Sequence, residues 1–381
     1  MMLKTLAYIV CYLIYPFSFL FPRKKKRWAF GSFRGAFNDN AKYLFIYANE
    51  HCPDRETAWV SANRDTVAQV RSLGYKAYRS TSLKGALYAL TSKYWFYNSY
   101  TSDIMFCLSG GATCVNLWHG VGLKRIEFNS VSGPLADRYV RKRFREVFFH
   151  PEAFRRPDIF LSPSAFQTVM FSKAFRIPES RCIEAGYPRN EVLLRPVDVS
   201  ANPFKGYRKV YIYMPTWRDS QREVFVQHIN LGEIDSVLGE NNGLLLLKPH
   251  ANTIIREEIS DFPHIRLLPS GMDVYPILPF TDVLITDYSS VLYDYILMPG
   301  KGVVLYLYDY ADYVKDRDFY YPFDGNVIGE RAYDFNEMLA ILQKGIPALN
   351  EKERCALVNK FWGKSDLMNS CRQILDGTIE K

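Results

Sequence analysis

Short apolar runs alternate with longer stretches whose apolar residues recur at helical spacing. Runs at residues 28–32, 58–61, 94–98, 115–118, 159–162 and 182–185 predict strands. The stretches between them, at 41–49, 65–73, 83–91 and 166–175, predict helices. Nearly continuous apolar strands separated by helices are what a parallel sheet covered on both faces requires. The pattern breaks at residues 195–205, where two prolines mark a connector. It then restarts, with strands at 210–214, 244–248, 265–268, 283–286 and 303–307. From residue 351 onward the pattern is helical and could pack back across what precedes it. A chain of 381 residues exceeds one ordinary core. The expectation is therefore an α/β protein of two successive doubly wound domains, residues 28–195 and 196–350, with a cleft between them. Residues 1–27 form a separate leading segment and residues 351–381 a closing helical one.

The leading segment is almost wholly apolar over residues 3–21 and is followed at once by Arg23-Lys24-Lys25-Lys26-Arg27. At about 1.5 Å per residue a helix here reaches roughly 28 Å, barely the thickness of a bilayer core. The cations come after the apolar run, and no small-residue cleavage site follows, which argues against a secretory signal. The segment predicts membrane association through residues 3–27, spanning or lying in the interface, with the cationic side cytoplasmic. The competing reading is a buried helix of the first domain.

Composition narrows the partners. The formal net charge of +8 suits nucleic acid, anionic lipid or a phosphate-rich substrate. The densest later cluster is Arg138, Arg141, Lys142, Arg143, Arg145, Arg155 and Arg156. It is either a solvated helix face or a track for an anionic polymer or lipid headgroups. No nucleic-acid-binding module accompanies it, so no nucleic-acid partner is expected. Seven scattered cysteines without a C-x-x-C pair argue against a disulfide framework or a zinc site and fit a reducing cytoplasm. Asp316 and Asp318 form a D-x-D pattern in a charged stretch. That spacing is commonplace, and no metal is expected.

The candidate chemistry sits at strand ends, where ligands gather in open α/β sheets. Cys114-Val115-Asn116-Leu117-Trp118-His119-Gly120-Val121-Gly122-Leu123-Lys124 runs from a strand into a glycine-bearing turn. A neutral imidazole there can accept a proton near neutral pH. Alternatively His119 only hydrogen-bonds within the turn. Val283-Leu284-Ile285-Thr286-Asp287-Tyr288-Ser289-Ser290 runs from a strand into a helical stretch at 291–297. Free N–H groups at a helix start suit phosphate, although serine N-capping alone explains such a sequence. Asp294 either accepts ribose or polyol hydroxyls or is a solvated carboxylate. Lys248-Pro249-His250, Pro215-Thr216-Trp217-Arg218-Asp219 and Gly186-Tyr187-Pro188-Arg189-Asn190 add cations and hydroxyls at further strand ends. This convergence suits a pyrophosphate-containing donor.

These ordered motifs resemble the CDP-glycerol glycerophosphotransferase family, which builds teichoic acids and related capsules. The stretch from Tyr308-Asp309 to Phe319-Tyr320 resembles the family's Tyr-Asp…Phe-Tyr segment. The resemblance implies a glycosyltransferase-B-like architecture: two facing Rossmann-like domains, the first for the acceptor and the second for the donor. It implies transfer of a polyol phosphate, glycerol phosphate foremost, to a lipid-linked or oligosaccharide acceptor at the cytoplasmic face of the cell membrane. The chain would be peripheral or held by a single segment. No cofactor is implied beyond the CDP-activated substrate. His119 would be the general base and His250 a contact to the donor phosphates. Gly120, Val121, Gly122, Leu123, Lys124, Arg189, Thr216, Trp217, Arg218, Lys248, Thr286, Ser289, Ser290 and Asp294 would bind the donor. The family often has His-Gly-Thr-Pro where this chain has His119-Gly120-Val121-Gly122, a departure that bears on the donor polyol rather than the reaction class.

Overall fold

Every strand pairing in the structure is parallel, in two separate sheets. The computed structural model describes residues 2–216, 228–249, 261–269, 271–316 and 319–379. The chain divides into one unit of Met1–Glu191 with Trp362–Lys381 and a second of Val192–Phe361.

The first unit holds β1 (Lys24–Phe30), β2 (Glu56–Ser61), β3 (Ala77–Arg79), β4 (Ser92–Tyr97), β5 (Thr113–Asn116), β6 (Ile159–Ser162) and β7 (Cys182–Glu184). Their order is β3-β2-β1-β4-β5-β6-β7. The chain moves outward from β1 on one side and returns to β4 on the other, so the order reverses between β1 and β4. The second unit holds β8 (Lys209–Tyr213), β9 (Gly243–Leu247), β10 (Ile265–Leu267), β11 (Val283–Thr286), β12 (Gly302–Tyr306) and β13 (Glu330–Ala332). Their order, β10-β9-β8-β11-β12-β13, reverses between β8 and β11. Such reversals open a crevice at the carboxyl ends of the flanking strands.

The inner strands of the second sheet are nearly all apolar because both of their faces are covered. β9, β11 and β12 are buried at every position. The helix starts follow from local chemistry. Asn63, Ser82, Ser164, Asn230 and Asp334 each accept a backbone N–H of the following first turn.

Two strands escaped the apolar pattern. β3, Ala-Tyr-Arg, and β13, Glu-Arg-Ala, lie at sheet edges and carry no apolar run. A third difference concerns the basic run. β1 begins at Lys24, inside it, rather than at residue 28. The Arg23 guanidinium points inward and donates to the carbonyls of Ala89 (2.9 Å), Ser92 (3.2 Å), Leu108 (2.7 Å) and Gly110. Burial pushes its pKa down to about 10. Arg27 pairs with Glu56 at 2.7 Å. Lys24, Lys25 and Lys26 remain exposed.

Helix α1 (Met2–Phe17) precedes this run, and Met2–Leu20 is long and apolar enough to cross a membrane by length and composition. One face of α1 lies on the first unit. Tyr8 meets Phe149 edge-on at 5.4 Å, the Tyr12 hydroxyl donates to the Phe148 carbonyl at 3.2 Å, and Tyr15 stacks on Phe106 at 4.7 Å. Leu3, Leu6, Leu13 and Phe17 are exposed.

At the other end, the helix Glu351–Trp362 leads into a last helix, Ser370–Ile379. The chain from Trp362 onward returns to the first unit. Trp362 packs edge-on against Tyr187 at 5.3 Å, and the Cys371 N–H donates to Glu191 Oε1 at 2.7 Å.

Candidate active site

In the first unit, the residues that follow β1, β4 and β5 build one polar constellation around His119. Trp118, just before it, has φ 51°, a left-handed conformation that a bulky side chain adopts at a cost of order 1–3 kcal/mol. The turn is held there from several sides. Asn116 Oδ1 accepts the Trp118 N–H at 2.8 Å. Asn40 Nδ2 donates to the carbonyls of Trp118 (2.9 Å) and Leu117 (3.2 Å). Arg189 Nη1 donates to the His119 carbonyl at 3.0 Å and to Asp39 Oδ1 at 2.5 Å. The Tyr187 hydroxyl donates to the Gly120 carbonyl at 2.9 Å. Asp39 and Asn40 open helix α2 (Asp39–His51), beyond the end of β1.

The imidazole itself is oriented by β4. His119 Nδ1 lies 3.1 Å from the Asn98 carbonyl and 3.5 Å from Ser99 Oγ. A carbonyl can only accept, so Nδ1 carries the proton and Nε2 is the basic nitrogen. His119 keeps an exposed surface. The protein packed around it nevertheless excludes enough water to push its pKa below the usual value, against the pull of the Asp39 carboxylate and the Asn98 hydrogen bond. Behind the ring, buried Asp103 Oδ2 accepts the N–H groups of Asn98 (3.1 Å) and Ser99 (2.8 Å). Burial drives that carboxyl's pKa up to about 7, opposed by those same N–H bonds.

The turn after His119 faces inward. Val121, Gly122 and Leu123 are buried, and Lys124 is half-buried. The Gly122 N–H donates to Gln167 Oε1 at 2.8 Å, and Gln167 Nε2 returns a bond to the Gly122 carbonyl at 3.3 Å. A Cβ on Gly122 would meet Met170 Cε at 1.7 Å, so any larger residue here requires the methionine side chain to move.

In the second unit the ends of β8, β9 and β11 lie side by side. Asp287, buried after β11, accepts the Thr216 N–H through Oδ1 (2.9 Å) and Oδ2 (3.0 Å), which pins the loop after β8. The Thr286 hydroxyl donates to the Met214 carbonyl at 2.7 Å. Ser289 and Ser290 are half-buried at the start of a short helix, Val291–Tyr295. Ser289 Oγ accepts the Val291 N–H at 3.4 Å, and Ser290 makes no side-chain cap bond. Asp294 is buried rather than solvated, and the Tyr275 hydroxyl donates to its Oδ2 at 2.7 Å. Lys248 Nζ donates to the Pro249 carbonyl at 3.3 Å, and burial lowers its pKa against the pull of Asp273. Tyr288 explains the Tyr-Asp…Phe-Tyr segment: it donates to Asp309 Oδ1 (3.1 Å), stacks on Tyr313 (3.8 Å) and meets Phe319 at 6.0 Å.

Trp217, Arg218 and His250 lie outside the described residues. Among the described residues no group of three His, Cys, Asp or Glu side chains could hold a metal ion. Sequence reasoning missed Asp39, Asn40, Asn98 and Asp103 as positioning residues, and singled out the motif around Asp287 without giving that residue a role of its own. The available signal was the strand-end rule itself, extended to β1 and β4.

Three comparisons bear on this arrangement. The model of the family described as CDP-glycerol:poly(glycerophosphate) glycerophosphotransferase matches residues 13–376. A teichoic acid poly(glycerol phosphate) polymerase of Staphylococcus epidermidis is 29% identical over 318 residues, 78% of this chain and 42% of that protein, so the chain spans less than half of that relative. A teichoic acid glycerol-phosphate transferase of Staphylococcus aureus is 26% identical over 357 residues, 88% of this chain and 89% of that protein. A solved structure of the wall teichoic acid polymerase TagF shares the fold, with a TM-score of 0.79 at 22% identity over 99% of this chain and 96% of that one.

Proposed function

The chain belongs to the CDP-glycerol:poly(glycerophosphate) glycerophosphotransferase family, and from that premise we propose that it transfers glycerol phosphate from CDP-glycerol to a hydroxyl of a membrane-linked cell-surface polymer or its primer, releasing CMP. The observation that carries this reading is a single one: an exposed His119 whose Nδ1 is committed to the Asn98 carbonyl and whose Nε2 is left basic.

His119 Nε2 takes the proton of the acceptor hydroxyl as its oxygen attacks the phosphorus that bears the glycerol. The bond from that phosphorus to the bridging oxygen breaks, and CMP leaves in line with the electron pair. Positioning and electrostatic stabilisation carry such a step. The donor phosphates are met by Lys248, by the Ser289 and Ser290 hydroxyls, by the loop at Thr216 and by His250, with Trp217 and Arg218 completing the donor site. Asp294 receives a donor hydroxyl beside Tyr275. Arg189 serves His119 by clamping its carbonyl to Asp39, and Gly120 to Lys124 shape the turn.

The chain works at the cytoplasmic face of the membrane. The tyrosine face of α1 against the first unit favours a helix lying in the interface, with Leu3, Leu6, Leu13 and Phe17 toward lipid and Lys24 to Lys26 beside anionic headgroups.

A donor screen tests the reading. With CDP-glycerol and a primed acceptor, CMP release should match a product mass gain of glycerol phosphate units. Turnover with CDP-ribitol alone would reassign the polyol, and CMP from neither would overturn the activity.

A further inference from the structure

The first unit contains a cavity of about 140 Å³ beneath the ends of β4 and β5, lined in part by Ser99 and Asn116. Both residues touch the His119 constellation: Ser99 Oγ lies 3.5 Å from His119 Nδ1, and Asn116 holds the Trp118 N–H. The cavity therefore lies on the Nδ1 side of the ring, behind the nitrogen that acts as base. One ordered water needs about 10–15 Å³ of such space, so there is room for one small polar molecule and not for a nucleotide.

The lining suits a ligand that carries both a hydroxyl donor and an anionic group. Glu127, 4% exposed, accepts from the Tyr100 hydroxyl through Oε1 at 2.7 Å. The Tyr139 hydroxyl lies 2.9 Å from that of Tyr100. Glu127 Oε2 is buried and lacks a hydrogen bond of ordinary geometry among the described residues, although the Tyr139 hydroxyl, like that of Tyr100, acts on this carboxyl. A buried carboxylate oxygen without a partner costs free energy unless a ligand or water supplies a donor. Lys142, Arg156 and Arg176 also line the cavity and are exposed. None of the three makes an ion pair among the described residues, whereas Arg155 beside them is paired with Asp158 at 3.0 Å. Three lining residues, Glu127 (φ 50°), Lys142 (φ 50°) and Arg176 (φ 51°), hold left-handed backbone without being glycine. Strain gathered at one cavity is what a ligand site accumulates.

We propose that this cavity is an acceptor subsite: it holds one polyol-phosphate unit of the growing polymer, set back from the reacting end, with a polyol hydroxyl on Glu127 Oε2 and the phosphate among Lys142, Arg156 and Arg176. The proposal rests on the transferase reading. It gives the acceptor a second anchor, so that the terminal hydroxyl reaches His119 Nε2 from the other side of the ring.

Binding of glycerol 3-phosphate, inorganic phosphate and CDP-glycerol to the full chain, followed by calorimetry, tests this. Wild-type protein should bind glycerol 3-phosphate at least about tenfold more tightly than inorganic phosphate. Glu127→Gln and the exposed-site variant Lys142→Ala should each weaken glycerol 3-phosphate about tenfold and leave CDP-glycerol within twofold, with melting curves like wild type. Four results would overturn the subsite: no binding of glycerol 3-phosphate, equal binding of inorganic phosphate, no effect of Lys142→Ala, or equal weakening of CDP-glycerol. The expected binding pattern without CMP release from any CDP-polyol would uphold the subsite and remove the transferase reading, so the two fail separately.

Discussion

The Asp39 carboxylate acts on His119 in two ways, by its negative charge and by clamping Arg189 against the His119 carbonyl. Burial lowers the imidazole pKa, so the neutral base persists to lower pH than an ordinary histidine near 6.5 allows. The acid limb of kcat/KM should therefore fall below pH 6.5. Asp39→Asn removes the one charge that raises this pKa and should shift the limb further down. A limb that moved up would contradict the assignment. Asp103 gives the opposite sign. Its folded pKa of about 7 lies above the usual carboxylate value, so its contribution to stability is present below about pH 4 and is lost as pH rises through about 7. Asp103→Asn should flatten the fall in urea midpoint between pH 5 and pH 8, and an unchanged slope would exclude that carboxyl. Asn40→Ala strands two carbonyls of the strained turn and should cost about 1–3 kcal/mol in urea unfolding. His119, Ser289 and Ser290 were legible in the sequence because each ends an apolar strand. Asp39 and Asn40 were not, because an Asp-Asn pair at a helix start reads as ordinary capping until the fold brings β5 beside it.

Elements separate by how apolar they are. The central strands announced themselves through continuous apolar runs. β3 and β13, edge strands with an arginine each and a glutamate in β13, interrupt the apolar pattern that marked β7 and β10 at the same length. The basic run shows how one sequence feature splits between two roles. Arg23 supplies donors to buried carbonyls and Arg27 pairs with Glu56, which leaves Lys24, Lys25 and Lys26 exposed. Helix α1 divides similarly, with Tyr8 and Tyr15 against the first unit and Leu3, Leu6 and Leu13 exposed. Replacing Leu3, Leu6, Leu13 and Phe17 with serine removes roughly 1.5–3 kcal/mol of burial each and should abolish sedimentation with anionic vesicles. Charge reversal at Lys24 to Lys26 should weaken binding at low salt and matter little at high salt. Vesicle binding unaffected by the serine replacements would remove α1 from the membrane.

At the scale of the molecule, the strand order reverses twice, between β1 and β4 and again between β8 and β11, and the candidate site residues of each unit lie at or beyond the carboxyl ends of its strands. Alternating strands and helices made both units legible. The return of the last residues from Trp362 to the first unit was not, because nothing in a helical pattern says which core it joins. The central claim is that a histidine base drives phosphoryl transfer from a bound CDP-polyol. The most direct measurement pairs CMP release with donor affinity in His119→Ala. Loss of a general base should lower turnover by about 10²–10⁴-fold, while CDP-glycerol binding stays within a few-fold of wild type. Full CMP release by His119→Ala would contradict the account.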